Sequence, residues 1–123
     1  ITQIPGSSRY FIGGVIAYAD RVKRLVGVNA AVLRKDGAVS AKAARAMAQG
    51  VRKTLKTDVS VSITGIAGPT GGSKTKPVGS VYFGLATATA CRVEHVTLAG
   101  TRSTIRKNAC RHALEMLYAF LIQ

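Results

Sequence analysis

Apolar residues recur with a helical period in the middle of this chain. Ser40 is followed by Ala43, Met47, Val51 and Leu55 at four-residue steps, and the lysines and arginines of this stretch lie mostly on the other faces. This period places one apolar stripe on an amphipathic helix, and serine is a favourable residue at the cap before its first turn. The pattern predicts a helix of about four turns that lies on a sheet.

A longer helix is predicted over residues 101–122, a short helix over residues 20–27, and another short turn or helix over residues 29–37. Each of the short ones is expected to end at a glycine, because glycine readily adopts the left-handed conformation that closes a helix. In the long helix the same four-residue step defines one apolar face. That face is predicted to comprise Ile105, Ala109, Ala113, Leu117 and Leu121, widened by Cys110, Leu114 and Phe120.

Four segments are predicted to form β-strands: residues 10–19, 58–66, 79–88 and 91–99. They are rich in β-branched and aromatic residues, and the second and fourth alternate apolar with polar positions. The short connection after Ala88 predicts an antiparallel hairpin between the last two strands. Because the order is strand, helices, three strands and helix, the chain is expected to form one α/β domain over residues 1–123, with a mixed sheet.

The chain is strongly basic, with 18 Lys and Arg against 5 Asp and Glu and a formal net charge of +13. Such an excess attracts polyanions, but it also fits the solvated faces of helices, and both interpretations stay open. No apolar run approaches the ~20 residues of a membrane span, so no membrane association is expected. Cys91 and Cys110 have neither CxxC nor metal-ligand spacing, which predicts buried free thiols in a reducing cytoplasm and no metal site.

The most unusual stretch is TGIAGPTGGSKTKPVG, residues 64–79, which joins two predicted strands. It is not a Walker A loop, because Ser73 separates Gly72 from Lys74 and a strand follows where that motif needs a helix. Closely placed glycines would let backbone amides converge on an anion or on a developing oxyanion. A wide hairpin whose glycines serve turn geometry alone is the other interpretation.

Four stretches of the sequence resemble one protein family. SITGIAGPTGGSKTKPVGSVYFGLAT, residues 62–87, is similar to the signature of the CinA C-terminal domain family, the nicotinamide-nucleotide amidases. GSSRYFIGGVIAYADRVKRLVGV, DGAVS and AGTRSTIRKNACRHAL are similar to three further family segments, so the resemblance covers essentially the whole chain. It implies a three-layer α/β/α domain, commonly a homodimer, which needs neither a metal nor a cofactor.

The activity that this resemblance implies is hydrolysis of the carboxamide of nicotinamide mononucleotide to nicotinate mononucleotide and ammonia. A serine nucleophile and a lysine base are implied, and a lysine can act as a base when its surroundings favour the neutral amine. The family's catalytic lysine and tyrosine fall on Lys23 and Tyr18. Its substrate-binding residues, which would contact the oxyanion or the nucleotide phosphate, fall on Thr64, Gly65, Ile66, Ala67, Gly68, Gly71, Gly72, Arg102 and Arg106.

The chain also departs from the family pattern. The nucleophilic serine of the family belongs to a segment reading E-S-C-T-G-G, and the chain is expected to lack the family's first ~30 residues, which include it. Ala19-Asp20 replace the usual Ser-Asn, and Thr101 stands where the family has Asp. These departures and the charge leave open a non-catalytic, basic family member that binds nucleic acid or another polyanion, although no recognition motif for bases is present.

Overall fold

The computed structural model describes residues 1–123 and confirms the α/β class, with helices on both faces of one sheet. The two short helices, the two long helices and the last three strands occur where the sequence predicts them. After a short 3-10 turn at Ser7–Arg9 the elements are α1 (Asp20–Leu25), α2 (Ala30–Lys35), α3 (Ala41–Leu55), β1 (Ser60–Gly65), β2 (Ser80–Ala86), β3 (Cys91–Thr97) and α4 (Arg102–Leu121).

The sheet contains three strands in the order β1-β2-β3, and both pairs are antiparallel. Phe83 in the central strand lies opposite Ile63 on one side and Glu94 on the other. The predicted hairpin between the last two strands is therefore confirmed. A mixed sheet was expected, but the three strands form antiparallel pairs only, because the first predicted strand does not join them.

Residues 10–19 do not form the predicted strand. The segment has no regular secondary structure, and Ile16 and Tyr18 expose 92% and 84% of their surface. A strand exists only where its backbone pairs with another strand, and no strand of this chain lies beside this segment. The composition of residues 10–19 thus favours a β-strand locally, but within residues 1–123 no strand pairs with this segment.

Helix α3 covers one face of the sheet at very short range. Ala44 and Ala48 are fully buried, and Gly84 in β2 has no room for a side chain, since a Cβ atom there would lie 2.6 Å from the Ala44 carbonyl oxygen. The hydroxyls of Ser60 and Ser62 donate hydrogen bonds of 2.6 Å to the carbonyl oxygens of Ala48 and Ala44. The polar side of β1 therefore faces a helix, whereas Ser/apolar alternation ordinarily puts the polar side in water.

Helix α4 covers the opposite face and completes three layers. Phe83 is fully buried between the sheet and this helix. The helix buries a narrower face than its sequence predicts: Leu114 and Leu121 are 44% and 63% exposed, and Cys110 is also exposed. The core on this side comprises Val81, Phe83, Leu85, Ile105, Ala109, Ala113 and Met116.

A second, smaller core attaches α1 and α2 to the other side of α3. Val26 and Val28 pack there against Ala43 and Met47. Gly50 makes this close approach possible, because a Cβ atom at that position would overlap the Val26 carbonyl group. None of the helices is both long and apolar enough to span a lipid bilayer.

Candidate functional site

Lys23 lies in α1 and is only 8% exposed. The ammonium group donates hydrogen bonds of 2.8 Å each to the backbone carbonyl oxygens of Ala17 and Tyr18. No carboxylate forms an ion pair with it. A buried lysine held by neutral acceptors is unusual, since buried charges are ordinarily paired with opposite charges.

The side chain of Tyr18 does not lie with Lys23 in the same buried environment. Tyr18 is 84% exposed, and its phenolic hydroxyl makes no hydrogen bond within the chain, so its contact with Lys23 runs through the main chain. The resemblance implied a catalytic role for each of these two residues. The structure joins them by a carbonyl group and leaves the phenol in solvent.

The glycine-rich loop, residues 64–79, connects β1 and β2 as a wide hairpin. Its base is closed by two backbone hydrogen bonds, from Ile66 to Ser80 at 2.9 Å and from Gly79 to Ile66 at 2.7 Å. Thr64 is buried, and its hydroxyl donates a 2.7 Å hydrogen bond to the carbonyl oxygen of Ala38. Thr64, Gly65 and Ile66 therefore belong to the fixed base of the loop, where the Thr64 hydroxyl and the backbone groups of Ile66 are already paired.

The glycine-containing tip of the loop has the opposite character. The backbone amides of Ala67, Gly68, Thr70, Gly71 and Gly72 donate no hydrogen bond within the chain. Gly68 and Gly71 have positive φ angles of 74° and 91°, a conformation that glycine adopts without strain. At Gly72 a Cβ atom would lie 2.7 Å from the Val78 nitrogen. This part of the loop carries a run of unpaired N–H donors, the groups that bind anions.

Arg102, the first residue of α4, fixes the loop from outside. Its guanidinium group donates a 2.8 Å hydrogen bond to the Gly68 carbonyl oxygen. Arg106 follows one turn later and lines a shallow cavity of about 200 Å³ together with Ile63 and Gly65. Thr101, one of the positions where the sequence departs from the family pattern, caps the helix by accepting a 3.3 Å hydrogen bond from the Thr104 amide.

The structure thus brings some of the predicted site residues together and not others. Arg102 and Gly68 are in contact, and Lys23 contacts the backbone of Tyr18. No hydrogen bond or ion pair joins Lys23 to the loop or to Arg106.

Lys76 is a residue of the loop that the sequence reasoning missed. Its ammonium group donates a 2.6 Å hydrogen bond to the Asp36 carbonyl oxygen at the end of α2. The two ends of the loop tip are therefore tied to different elements, by Arg102 on one side and by Lys76 on the other. The position of Lys76 in Ser-Lys-Thr-Lys gives no signal of this contact, since it depends on how α2 lies against the loop.

Both cysteines are free thiols, and Cys110 lies at the cavity that Arg106 lines. Cys91 is half-buried at the start of β3, and burial raises the pKa of its thiol, while the nearby Arg45 guanidinium acts in the opposite direction. Cys110 is exposed, so the expectation of two buried thiols is wrong for this residue: it lies outside the buried core between α4 and the sheet.

The sequence model of the CinA C-terminal domain matches residues 1–121. A CinA-like protein of Geobacter sulfurreducens is 48% identical over 118 residues, covering 95% of this chain and 29% of the relative. A CinA-like protein of Citrifermentans bemidjiense is 44% identical over 123 residues, covering 99% of this chain and 30% of the relative. The chain therefore spans less than a third of the length of these relatives.

Two solved structures are also similar. The competence/damage inducible protein CihA of Agrobacterium tumefaciens superposes with a TM-score of 0.92 at 37% identity, over 96% of this chain and 73% of that chain. The competence damage-inducible protein A (ComA) of Klebsiella pneumoniae superposes with a TM-score of 0.93 at 28% identity, over 99% of this chain and 76% of that chain.

Proposed function

The chain belongs to the CinA C-terminal domain family, and on that premise we propose that it forms part of a nicotinamide-nucleotide amidase. The substrate is nicotinamide mononucleotide, and water replaces the amide nitrogen to give nicotinate mononucleotide and ammonia. The observation that carries the proposal is the run of unpaired amides at the loop tip beside Arg102. An amidase needs such donors for the negative charge that develops on the carboxamide oxygen.

Lys23 is the proposed general base. It is buried, no carboxylate neutralises it, and two carbonyl groups orient its nitrogen atom. A base of this kind takes the proton of a serine hydroxyl as the hydroxyl attacks the carboxamide carbon, and returns it to the leaving ammonia. The resemblance implies that this serine belongs to the E-S-C-T-G-G segment, so turnover is expected only from a protein that contains both parts.

The loop tip and the two arginines are the proposed substrate-binding groups. The unpaired backbone N–H groups of the loop tip would donate hydrogen bonds to either the oxyanion or the nucleotide phosphate, and Arg106 offers a guanidinium without a partner in the chain. Arg102 already uses one N–H on Gly68. Its primary proposed role is therefore to fix the loop tip, with the remaining N–H groups available to a phosphate.

The test measures ammonia release from nicotinamide mononucleotide by a protein that includes this chain and the serine-containing segment. Replacing Lys23 by Ala is expected to lower kcat by about 10²–10⁴-fold, the usual contribution of a general base. The matched control is Lys53→Ala, in the last turn of α3, which should leave kcat unchanged. Equal activity of Lys23→Ala and wild type would exclude the base role, and no turnover by the wild type would exclude the amidase.

A second function is favoured by the charges. Among 18 Lys and Arg, only Lys42, Arg92 and Arg111 pair with a carboxylate, so most cations have none. We propose, as the alternative to catalysis, sequence-independent binding of nucleic acid. Such binding would weaken steeply with salt and would not depend on base sequence. Retention on duplex DNA at low salt, by a wild type without amidase activity, would support it.

A further inference from the structure

Two residues of the glycine-rich loop are bonded to one short turn, residues 36–38, between α2 and α3. Thr64, where the loop begins, donates a 2.7 Å hydrogen bond to the Ala38 carbonyl oxygen. Lys76, near the end of the loop, donates a 2.6 Å hydrogen bond to the Asp36 carbonyl oxygen. Both limbs of the loop are therefore held by the same three-residue turn.

The turn is in turn attached to α3 by two side chains. The hydroxyl of Ser40 donates a 2.9 Å hydrogen bond to the Gly37 carbonyl oxygen and accepts one of 3.2 Å from the Ala43 amide. The Asp36 carboxylate forms a 3.1 Å ion pair with Lys42, in the first turn of α3. Because a capping side chain fixes the start of a helix, the turn has a defined position relative to α3.

Lys76 is the sole polar anchor of the outer part of the loop. Among residues 69–76, it alone makes a hydrogen bond to another part of the chain. The carbonyl group that it reaches lies at the end of α2, and carbonyl groups at a helix end lack a donor within the helix. Lys74 carries the same charge in the same loop, but it is exposed and makes no hydrogen bond. Of these two lysines, only Lys76 holds the loop.

We propose that the turn at residues 36–38 sets the arrangement of the loop tip, and that Lys76 is a positioning residue for the anion that binds there. Arg102 fixes Gly68 at the start of the tip, and Lys76 fixes the chain beyond its end. The unpaired amides between these two anchors are thus ordered before a ligand arrives. Binding groups that are already ordered lose less conformational entropy on binding, which raises the affinity.

Lys76 acts through these amides and is not itself a ligand of the anion. Its ammonium group donates to a carbonyl group of the turn, and this contact directs the side chain toward α2. The anion is bound by backbone N–H groups, which need a fixed arrangement to converge on it. The inference rests on the proposed function for the role of the tip as an anion site, but it does not require that the substrate is nicotinamide mononucleotide.

The experiment titrates a protein that includes this chain and the serine-containing segment with inorganic phosphate. Binding is followed by NMR at the backbone amides of residues 67–72. Lys76→Met should raise the Kd for phosphate by about tenfold, because the loss of one charged hydrogen bond leaves the tip without its second anchor. Lys76→Arg keeps a cationic donor and should restore the Kd to within about threefold of wild type.

Lys74→Met is the matched control, because it removes the same charge from the same loop and breaks no hydrogen bond. Its Kd should stay within about twofold of wild type. Equal weakening by Lys74→Met and Lys76→Met would overturn the proposal, since the lost charge alone would then explain both. Wild-type affinity of Lys76→Met, or no response of the tip amides to phosphate in the wild type, would also overturn it.

A second measurement reports the anchor without any ligand. The NMR order parameters of residues 69–76 should be those of ordered backbone, about 0.85, in the wild type and in Lys74→Met. They should fall below about 0.6 in Lys76→Met and in Lys76→Gln, whose shorter, uncharged side chain tests the same contact. Unchanged order in both Lys76 variants, with wild-type circular dichroism, would overturn the anchoring role. Neither measurement needs turnover, so absence of ammonia release would exclude the amidase and leave this inference to be decided by the titration.

Discussion

Residues 10–19 and strand β2 have a similar composition and different structures. Both are uncharged, mainly apolar segments that contain aromatic residues and internal glycine, two in residues 10–19 and one in β2. Strand β2 is paired on both sides and buries Phe83 completely. Residues 12–16 pair with nothing, and Ile16 is 92% exposed. The comparison shows that β-propensity decides what a segment can become, while the presence of a neighbouring strand decides whether it becomes a strand.

The largest expected difference between the two regions is in the free energy of unfolding that is lost when a phenylalanine of each is replaced by alanine. Phe83→Ala should lower the free energy of unfolding by about 3–5 kcal/mol, because it leaves a cavity between the sheet and α4. Phe11→Ala, in the unpaired segment where the ring is half-buried, should cost about 1 kcal/mol or less. Urea unfolding followed by circular dichroism measures both. Comparable losses would mean that residues 10–19 belong to the cooperative core after all.

Two glycines allow a second test of the same comparison. Gly84→Ala in β2 should destabilise the protein by about 1–3 kcal/mol, because its Cβ atom would lie 2.6 Å from the Ala44 carbonyl oxygen and 2.7 Å from the Ser62 hydroxyl. Gly14→Ala should be neutral or stabilise by about 0.4–1 kcal/mol, since nothing lies within 4 Å and the unfolded chain loses freedom. Thermal unfolding of the two variants gives the comparison. A loss at Gly14 would show that the segment has packing neighbours.

A smaller effect is expected where β1 is tied to α3. Ser62→Ala removes a buried hydroxyl that donates a 2.6 Å hydrogen bond to Ala44, and about 1 kcal/mol of stability should be lost. Ser8→Ala is the control in the N-terminal region, because Ser8 is exposed and its hydroxyl makes no hydrogen bond within the chain. The difference in urea midpoint between the two variants, at an unchanged m-value, measures how much the hydrogen bond contributes to the free energy of unfolding. If both variants were equally stable, the hydroxyl would not link strand and helix energetically.

These contrasts also show which parts of the structure could be predicted from sequence. Local signals were sufficient for the helices: Ser40 caps α3 as expected, and Gly27 and Gly37, which were predicted to end the short elements, have positive φ angles. The hairpin of β2 and β3 followed from its short connection. The prediction of a strand at residues 10–19 was wrong, because a strand exists only beside a partner strand. The periodicity within a segment does not reveal whether such a partner is present.

The candidate site was predictable to a lesser extent. The resemblance selected Lys23 and the glycine loop, but the burial of Lys23 and its two carbonyl acceptors depend on how α1 meets the preceding segment. The loop divides into a paired base at Thr64 and an unpaired tip at Gly71, a difference that composition does not show. The orientation of the β1 serines toward α3 was likewise invisible, because alternation alone does not say which face of a sheet meets water.

The smallest expected effect is a pH dependence at Cys91, the first residue of β3. Burial raises the pKa of this thiol, so the folded state holds its proton more tightly than the unfolded state does. The resulting contribution to stability is complete below the thiol's ordinary pKa of about 8.5 and is lost as pH rises through the higher folded value. In a Cys110→Ser background, the pH midpoint of Cys91 alkylation should therefore lie above that of the urea-unfolded chain. Arg45→Ala should move it further upward, because the Arg45 charge lowers this pKa. If the alkylation midpoint of the folded chain lay at or below that of the unfolded chain, Cys91 would be exposed to solvent although β3 is paired, as the side chains of residues 10–19 are exposed.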